Sequence, residues 1–189
     1  MQNNLTDKDI EVLNKWAEEY DIDELKIKDK EEIFNLEELY ISEEYIPTEV
    51  FKLTNLKKLH IYYPNTELPR EICNLINLEE LYILSSKMEH IPVEIFNLKN
   101  LKNLDIRCKN LKKLPNEIYN LINLESFYIS CDNLENFPDG IENLTNLKSL
   151  VIISHNENEN LNLKIPMESI GKLNNLKTIC IDIRQLQEL

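Results

Sequence analysis

A chain of 189 residues, 42% of them hydrophobic, is long and apolar enough to bury a core, which excludes disorder of the whole. Its formal net charge of −13 works against nucleic acid and anionic membrane as partners and suits a basic protein. Two glycines, Gly140 and Gly171, are too few for a glycine-rich phosphate cradle or a dinucleotide fingerprint.

Thr6 followed by Asp9 has the form of a capping box, and Leu5 can staple onto Ile10. Ile10, Leu13, Trp16, Ala17 and Tyr20 then share one helical face, which predicts a capping helix within residues 1–21 with Trp16 buried. A binding anchor is the competing role for Trp16.

From residue 22 the chain repeats. Leu36 to Ile41 recurs as Leu56 to Ile61, Leu78 to Ile83, Leu101 to Ile106, Leu124 to Ile129, Leu147 to Ile152 and Leu176 to Ile181, after a degenerate copy at Ile22 to Ile27. Apolar residues hold positions one, four and six. In the two-residue alternation of a strand, positions four and six share the buried face, and positions five and seven point away from it. Eight strand copies are expected, the first of them imperfect. Six of them are followed by a proline-led segment, as in Pro92-Val93-Glu94-Ile95-Phe96-Asn97-Leu98, echoed after Pro47, Pro69, Pro115, Pro138 and Pro166. Proline suits the first position of a short helical turn, and the glutamate that follows in most copies favours a helix N-terminus.

This pattern, LxxLxI followed by LPxxIxxLxNL, resembles the leucine-rich-repeat family, in its compact bacterial-like type of about 23 residues per coil. The resemblance covers residues 22–189. It implies an α/β solenoid, a curved right-handed superhelix lined by a parallel concave sheet and closed at the N-terminus by the capping helix. A coil cannot cover its own apolar stripe, so stacking does so. No matching cap follows Ile183 to Leu189, which leaves a raw coil that a partner or a second copy would cover.

The asparagine usual at the ninth position of such coils is replaced by Ser86, Lys109, Asp132 and His155, and the eighth carries the small residues Ser85, Cys108, Cys131 and Ser154. A different series, Asn35, Asn55, Asn77, Asn100, Asn123, Asn146 and Asn175, stands just before each strand, where amides can satisfy turn backbone. Second-position charges alternate as Glu37, Lys57, Glu79, Lys102, Glu125 and Lys148, followed by Lys177, a ladder that serves register more than recognition. The stretch His155 to Asn160 lengthens one coil and is expected to be a polar loop.

Function is sought on the surface that stacking does not use. On the concave face, Tyr40, His60, Tyr62, Tyr82, Leu84 and Tyr128 would form a patch across several coils, with Arg107 beside it and Val151 and Ile153 beyond. These nine are the candidate partner-binding residues; sheet propensity for tyrosine and valine is the competing explanation. Catalysis, cofactors and metals are not expected. The chain has no HExxH, GxSxG or P-loop, and four cysteines, Cys73, Cys108, Cys131 and Cys180, without a CxxC pair. They read as free thiols in a reducing compartment. With no membrane-length apolar run and no signal-like start, the expected location is the cytoplasm. The resulting expectation is a protein-binding module without nucleic-acid or membrane partners. Two alternatives stay open: a delivered bacterial effector that recognises a host target, and a structural protein that self-associates through its C-terminal coil.

Overall fold

The computed structural model describes residues 5–26, 29–43, 45–62, 67–156 and 163–185. Seven parallel strands stand side by side in chain order: β1 Glu38–Ile41, β2 Lys58–Tyr62, β3 Glu80–Ser85, β4 Asn103–Cys108, β5 Ser126–Ser130, β6 Ser149–Asn156 and β7 Thr178–Gln185. Their register is the register of the repeat. Leu39, Leu59, Leu81, Leu104, Phe127, Leu150 and Ile179 form one row, spaced by 20, 22, 23, 23, 23 and 29 residues. Through Leu150 that row is 0 to 1% exposed, as is the parallel row from Ile41 to Ile152. Each such side chain contributes about 1.5–3 kcal/mol by leaving water. The small eighth-position residues Ser85, Cys108, Cys131 and Ser154 continue inward and are buried too.

The return segments are 3-10 turns, Thr48–Lys52, Arg70–Asn74, Val93–Asn97, Asn116–Asn120 and Ile141–Asn143, followed by a short helix at Met167–Ile170. Pro47, Pro69, Pro92 and Pro115 sit one residue ahead of the first helical position expected for them, in the cap itself. The reason is conformational: a cap needs extended ψ, which proline supplies at its fixed φ. Each proline carbonyl accepts a bond from the N–H three residues on, at 3.1 Å for Val50 and 3.2 Å for Ile95. Gly140 replaces this device in the sixth coil, at φ 105°, where an added Cβ would lie 3.1 Å from the Tyr119 ring.

At the N-terminus helix α1 spans Asp7–Tyr20. Thr6 Oγ1 accepts from Asp9 N–H at 3.2 Å and Asp9 Oδ2 accepts from Thr6 N–H at 2.8 Å, completing the capping box. Trp16 is buried, its indole donating to the Tyr45 carbonyl at 3.0 Å. The degenerate first copy differs from expectation. Among the described residues it makes a 3-10 turn, Asp23–Leu25, and no strand; Ile27 and Lys28 lie outside them. Leu25 nevertheless points into the core, and helix α2, Lys30–Phe34, leads into β1. The polar stretch from His155 also begins later than expected. β6 continues through Asn156, paired with β7, and residues 157–160 of that stretch fall outside the described set.

The asparagines before the strands join one coil to the next. Asn77, Asn100, Asn123, Asn146 and Asn175 donate Nδ2 to the carbonyls of Thr54, Ile76, Lys99, Ile122 and Thr145, at 2.7–2.8 Å. Each acceptor is the residue before the preceding coil's own asparagine, so the bonds form a ladder. The ninth-position asparagine ladder is not simply lost, because it moves one residue on. Asn110 donates to Ser86 O at 2.9 Å and Asn133 to Asn110 Oδ1 at 2.9 Å.

Two outcomes follow. Asn123→Ala removes the bond to the exposed Lys99 carbonyl and should lower unfolding free energy by about 0.5–1.5 kcal/mol, read by urea denaturation; an unchanged midpoint would refute the ladder's role. Asp9 is held at a pKa of about 2 by Lys52, whose Nζ lies 2.7 Å away, and by the Thr6 N–H. Because its folded pKa is depressed, its stabilisation is present above the ordinary carboxylate pKa and is lost as pH falls from about 4 towards 2. Lys52 is half exposed, so the effect is on the order of 1 kcal/mol. Asp9→Asn should melt lower than the parent at neutral pH, with the gap closing near pH 2.

Candidate protein-binding face

The alternation that buries positions four and six sends the odd positions to the other side of the sheet. Row five reads Tyr40, His60, Tyr82, Asp105, Tyr128, Val151 and Cys180 across the seven strands, and row seven Tyr62, Leu84, Arg107, Ser130, Ile153 and Asp182 from β2 to β7. All nine candidate residues therefore share one side. Tyr40, Tyr62 and Leu84 are 43%, 39% and 41% exposed. His60, Tyr82, Arg107, Tyr128, Val151 and Ile153 are half-buried, the first four in contact with one another.

That packing is continuous. His60 meets the Tyr40 ring edge-on at 4.8 Å and the Tyr82 ring at 5.4 Å, and Tyr62 lies 5.3 Å from Tyr82. The Arg107 guanidinium stands over two rings, 5.2 Å from Tyr82 and 4.5 Å from Tyr128. Asp105 fixes it in a two-pronged bond, Nε to Oδ1 at 3.0 Å and Nη2 to Oδ2 at 2.9 Å, which raises the arginine's pKa further. The Tyr82 hydroxyl is pushed up chiefly by desolvation, so the phenol stays protonated as a donor. Val151 and Ile153, on β6, extend the face with aliphatic surface. His60 and Cys180 sit five strands apart in row five, about 24 Å at the usual spacing, too far to act on one bond.

Row three belongs to the same side and was not singled out in the sequence, although the period of two already implied it. It reads Glu38, Lys58, Glu80, Asn103, Ser126, Ser149 and Thr178. Lys58 pairs with Glu38 at 2.7 Å, and His60 Nε2 lies 2.8 Å from Glu80 Oε1. Beyond row seven a shallow trough of about 580 Å³ runs past Tyr62, Leu84, Arg107 and Ser130, with Ser86, Lys109 and Asp132 on its rim. The second-position charges pair as expected of a register device: Lys57 with Glu37 at 2.5 Å, Lys102 with Glu79 at 2.7 Å, and Lys148 with Glu125 at 2.6 Å.

A family model for the leucine-rich repeat region matches residues 82–189, more than half of the chain. The chain belongs to the leucine-rich-repeat family. Among solved structures, a leucine-rich-repeat protein of Leptospira interrogans is 32% identical, with a TM-score of 0.59 over 71% of this chain and 33% of that one. A plant peptide hormone receptor, in complex with RGF2, is 26% identical, with a TM-score of 0.53 over 78% of this chain and 27% of that one. An internalin of Listeria monocytogenes, 18% identical, shares the fold, with a TM-score of 0.52 over 95% of this chain and 57% of that one. The chain thus spans about a third of the length of the Leptospira protein and less than two thirds of the other two. None of the curated proteins matches the sequence. Members of the family generally mediate protein–protein interaction and are typically not enzymes. Among the described residues no helix is long and apolar enough to cross a membrane.

The cysteines offer a direct check on which side is which. Cys108 and Cys131 are free and buried inside the stack, and burial pushes the Cys108 thiol up to about 12, whereas Cys180 in row five is exposed. A disulfide reagent at neutral pH should modify Cys180 readily, Cys73 more slowly, and Cys108 and Cys131 only on unfolding. Fast native-state labelling of Cys108 or Cys131 would mean that the inward and outward rows are exchanged.

Proposed function

We propose that this protein binds a segment of a partner protein across the open face of its sheet, through Tyr40, His60, Tyr62, Tyr82, Leu84, Arg107, Tyr128, Val151 and Ile153. The observation that carries the reading is the unbroken run of rings and guanidinium from Tyr40 to Tyr128. Tyrosine and arginine held by neighbours lose little side-chain freedom on binding, so more of each contact's free energy remains as affinity. Similarity to a plant peptide hormone receptor supports a peptide as the kind of object the face takes. The competing explanation, that sheet propensity alone chose these residues, leaves the Asp105 clamp on Arg107 without a purpose.

A second reading, self-association through β7, has one observation in its favour: Ile179, in a row otherwise buried, is 46% exposed on the outer strand of the described sheet.

Replacing Tyr82 and Tyr128 together with serine should weaken capture of the partner by about thirtyfold or more, since truncated hot-spot side chains cost about 2 kcal/mol. The two rings lie outside the buried rows, so the melting temperature should change little. Affinity capture from lysate followed by mass spectrometry, with the double variant as control, reads the result. Equal capture by both chains would rule the face out. Sedimentation at rising concentration tests the second reading, which requires a dimer that Ile179→Lys dissolves.

A further inference from the structure

The open face is not uniform, and its gradient gives the bound segment a direction. Over β1 to β3 row three is charged, Glu38, Lys58 and Glu80, and the rings beside it are Tyr40, His60, Tyr62 and Tyr82. Over β6 and β7 row three is Ser149 and Thr178, and rows five and seven bring Val151, Ile153 and Cys180, with one carboxylate, Asp182, at the outer strand, 3.6 Å from His155. Charge follows the same axis. Residues 1–50 hold 16 acidic against 5 basic side chains, a net −11, while residues 51–189 hold 18 against 16, a net −2. Helix α1, which carries Asp7, Glu11, Glu18 and Glu19, packs on α2 and on the turns before β1 and β2, so this charge stands at the tyrosine end of the sheet.

The protein also contains its own example of what these tyrosines accept. Arg107 rests on Tyr82 and Tyr128 and is neutralised by the adjacent Asp105. At the β1–β2 end the same parts recur as Tyr40, Tyr62, Glu38 and Glu80, with both rings more than a third exposed. Among the described residues no arginine or lysine is seated over these two rings as Arg107 is over its own. Glu38 is held by Lys58 at 2.7 Å and by the Tyr40 hydroxyl, which donates to it at 3.2 Å, and Glu80 by His60 at 2.8 Å, but a carboxylate has lone pairs for further donors.

We infer that the partner segment is basic at the end lying over β1 and β2 and apolar at the end lying over β6 and β7. This rests on the reading that the open face is the docking surface. A lysine or arginine of the segment stacks on Tyr40 and Tyr62 and bonds Glu38 or Glu80, steered there by the acidic N-terminal quarter. Aliphatic or aromatic residues at its other end cover Val151 and Ile153. From β1 to β6 is five strand spacings, about 24 Å, which about eight extended residues span.

The test uses the full chain and random peptides displayed on phage. Peptides that survive selection should carry lysine or arginine near one end and apolar residues near the other. One of them, made with a fluorescent tag, should bind several-fold more weakly when salt rises from about 50 to about 300 mM. Tyr40→Ala with Tyr62→Ala should weaken it about three- to tenfold. The same double change should have no effect on a peptide whose basic residues are replaced by glutamine, whereas Ile153→Ser should weaken both peptides equally. Selected peptides that need Tyr82 and Tyr128 but are acidic or uncharged would overturn the polarity, as would coupling of the basic end to Ile153. Selected peptides indifferent to Tyr82→Ser with Tyr128→Ser would instead overturn the docking face itself. Failure to select any peptide would count against both.

Discussion

Everything in this molecule depends on one constraint: a coil buries its apolar residues only if the next coil stacks on it in register. The row from Leu59 to Leu150 is dry because each leucine or phenylalanine in it has a counterpart on both sides. Hydrophobic contact alone is non-directional and would tolerate a slip. The register is pinned by directional bonds, the asparagine amides that reach one coil back to a defined carbonyl. Lateral Glu–Lys pairs act in the same sense at lower energy. Once the register is set, a residue's place in the repeat decides whether it is core or surface, and the odd rows become a continuous wall without further design.

Much of this was legible in the chain. The LxxLxI spacing gives strands, register and facing together, because a period of two on a parallel stack leaves no freedom once one row is apolar. The capping box at Thr6 and the burial of Trp16 followed from spacing alone. What was not legible depended on contacts between coils. The proline's place in the cap and not in the first helical position is a matter of one residue, which composition cannot resolve. The first copy makes a turn packed on α1, and the shifted asparagines at Asn110 and Asn133 act only through the preceding coil. Row three of the open face was readable and was overlooked, since its residues are charged or small and attract no attention beside tyrosines.

The candidate face illustrates how the same sheet serves two purposes without conflict. Inward positions are chosen for volume, and the outward ones are free to carry rings, imidazole and guanidinium in contact with one another. Arg107 links the two halves: Asp105 on its own strand orients it, and rings on the strands to either side hold it. A surface fixed in this way is stiff before anything binds, which is the condition for a family scaffold that recognises proteins to do so with modest area.

The central claim is that the open face, and not some other side of the solenoid, is where the partner sits. Acetylation of tyrosines mapped by mass spectrometry tests it most directly, because Tyr45, 62% exposed and outside the strands, provides an internal control. In the free chain Tyr40, Tyr45 and Tyr62 should all be modified, and with partner bound Tyr40 and Tyr62 should be protected while Tyr45 is not. Protection of Tyr45 with Tyr40 and Tyr62 left reactive would contradict the account.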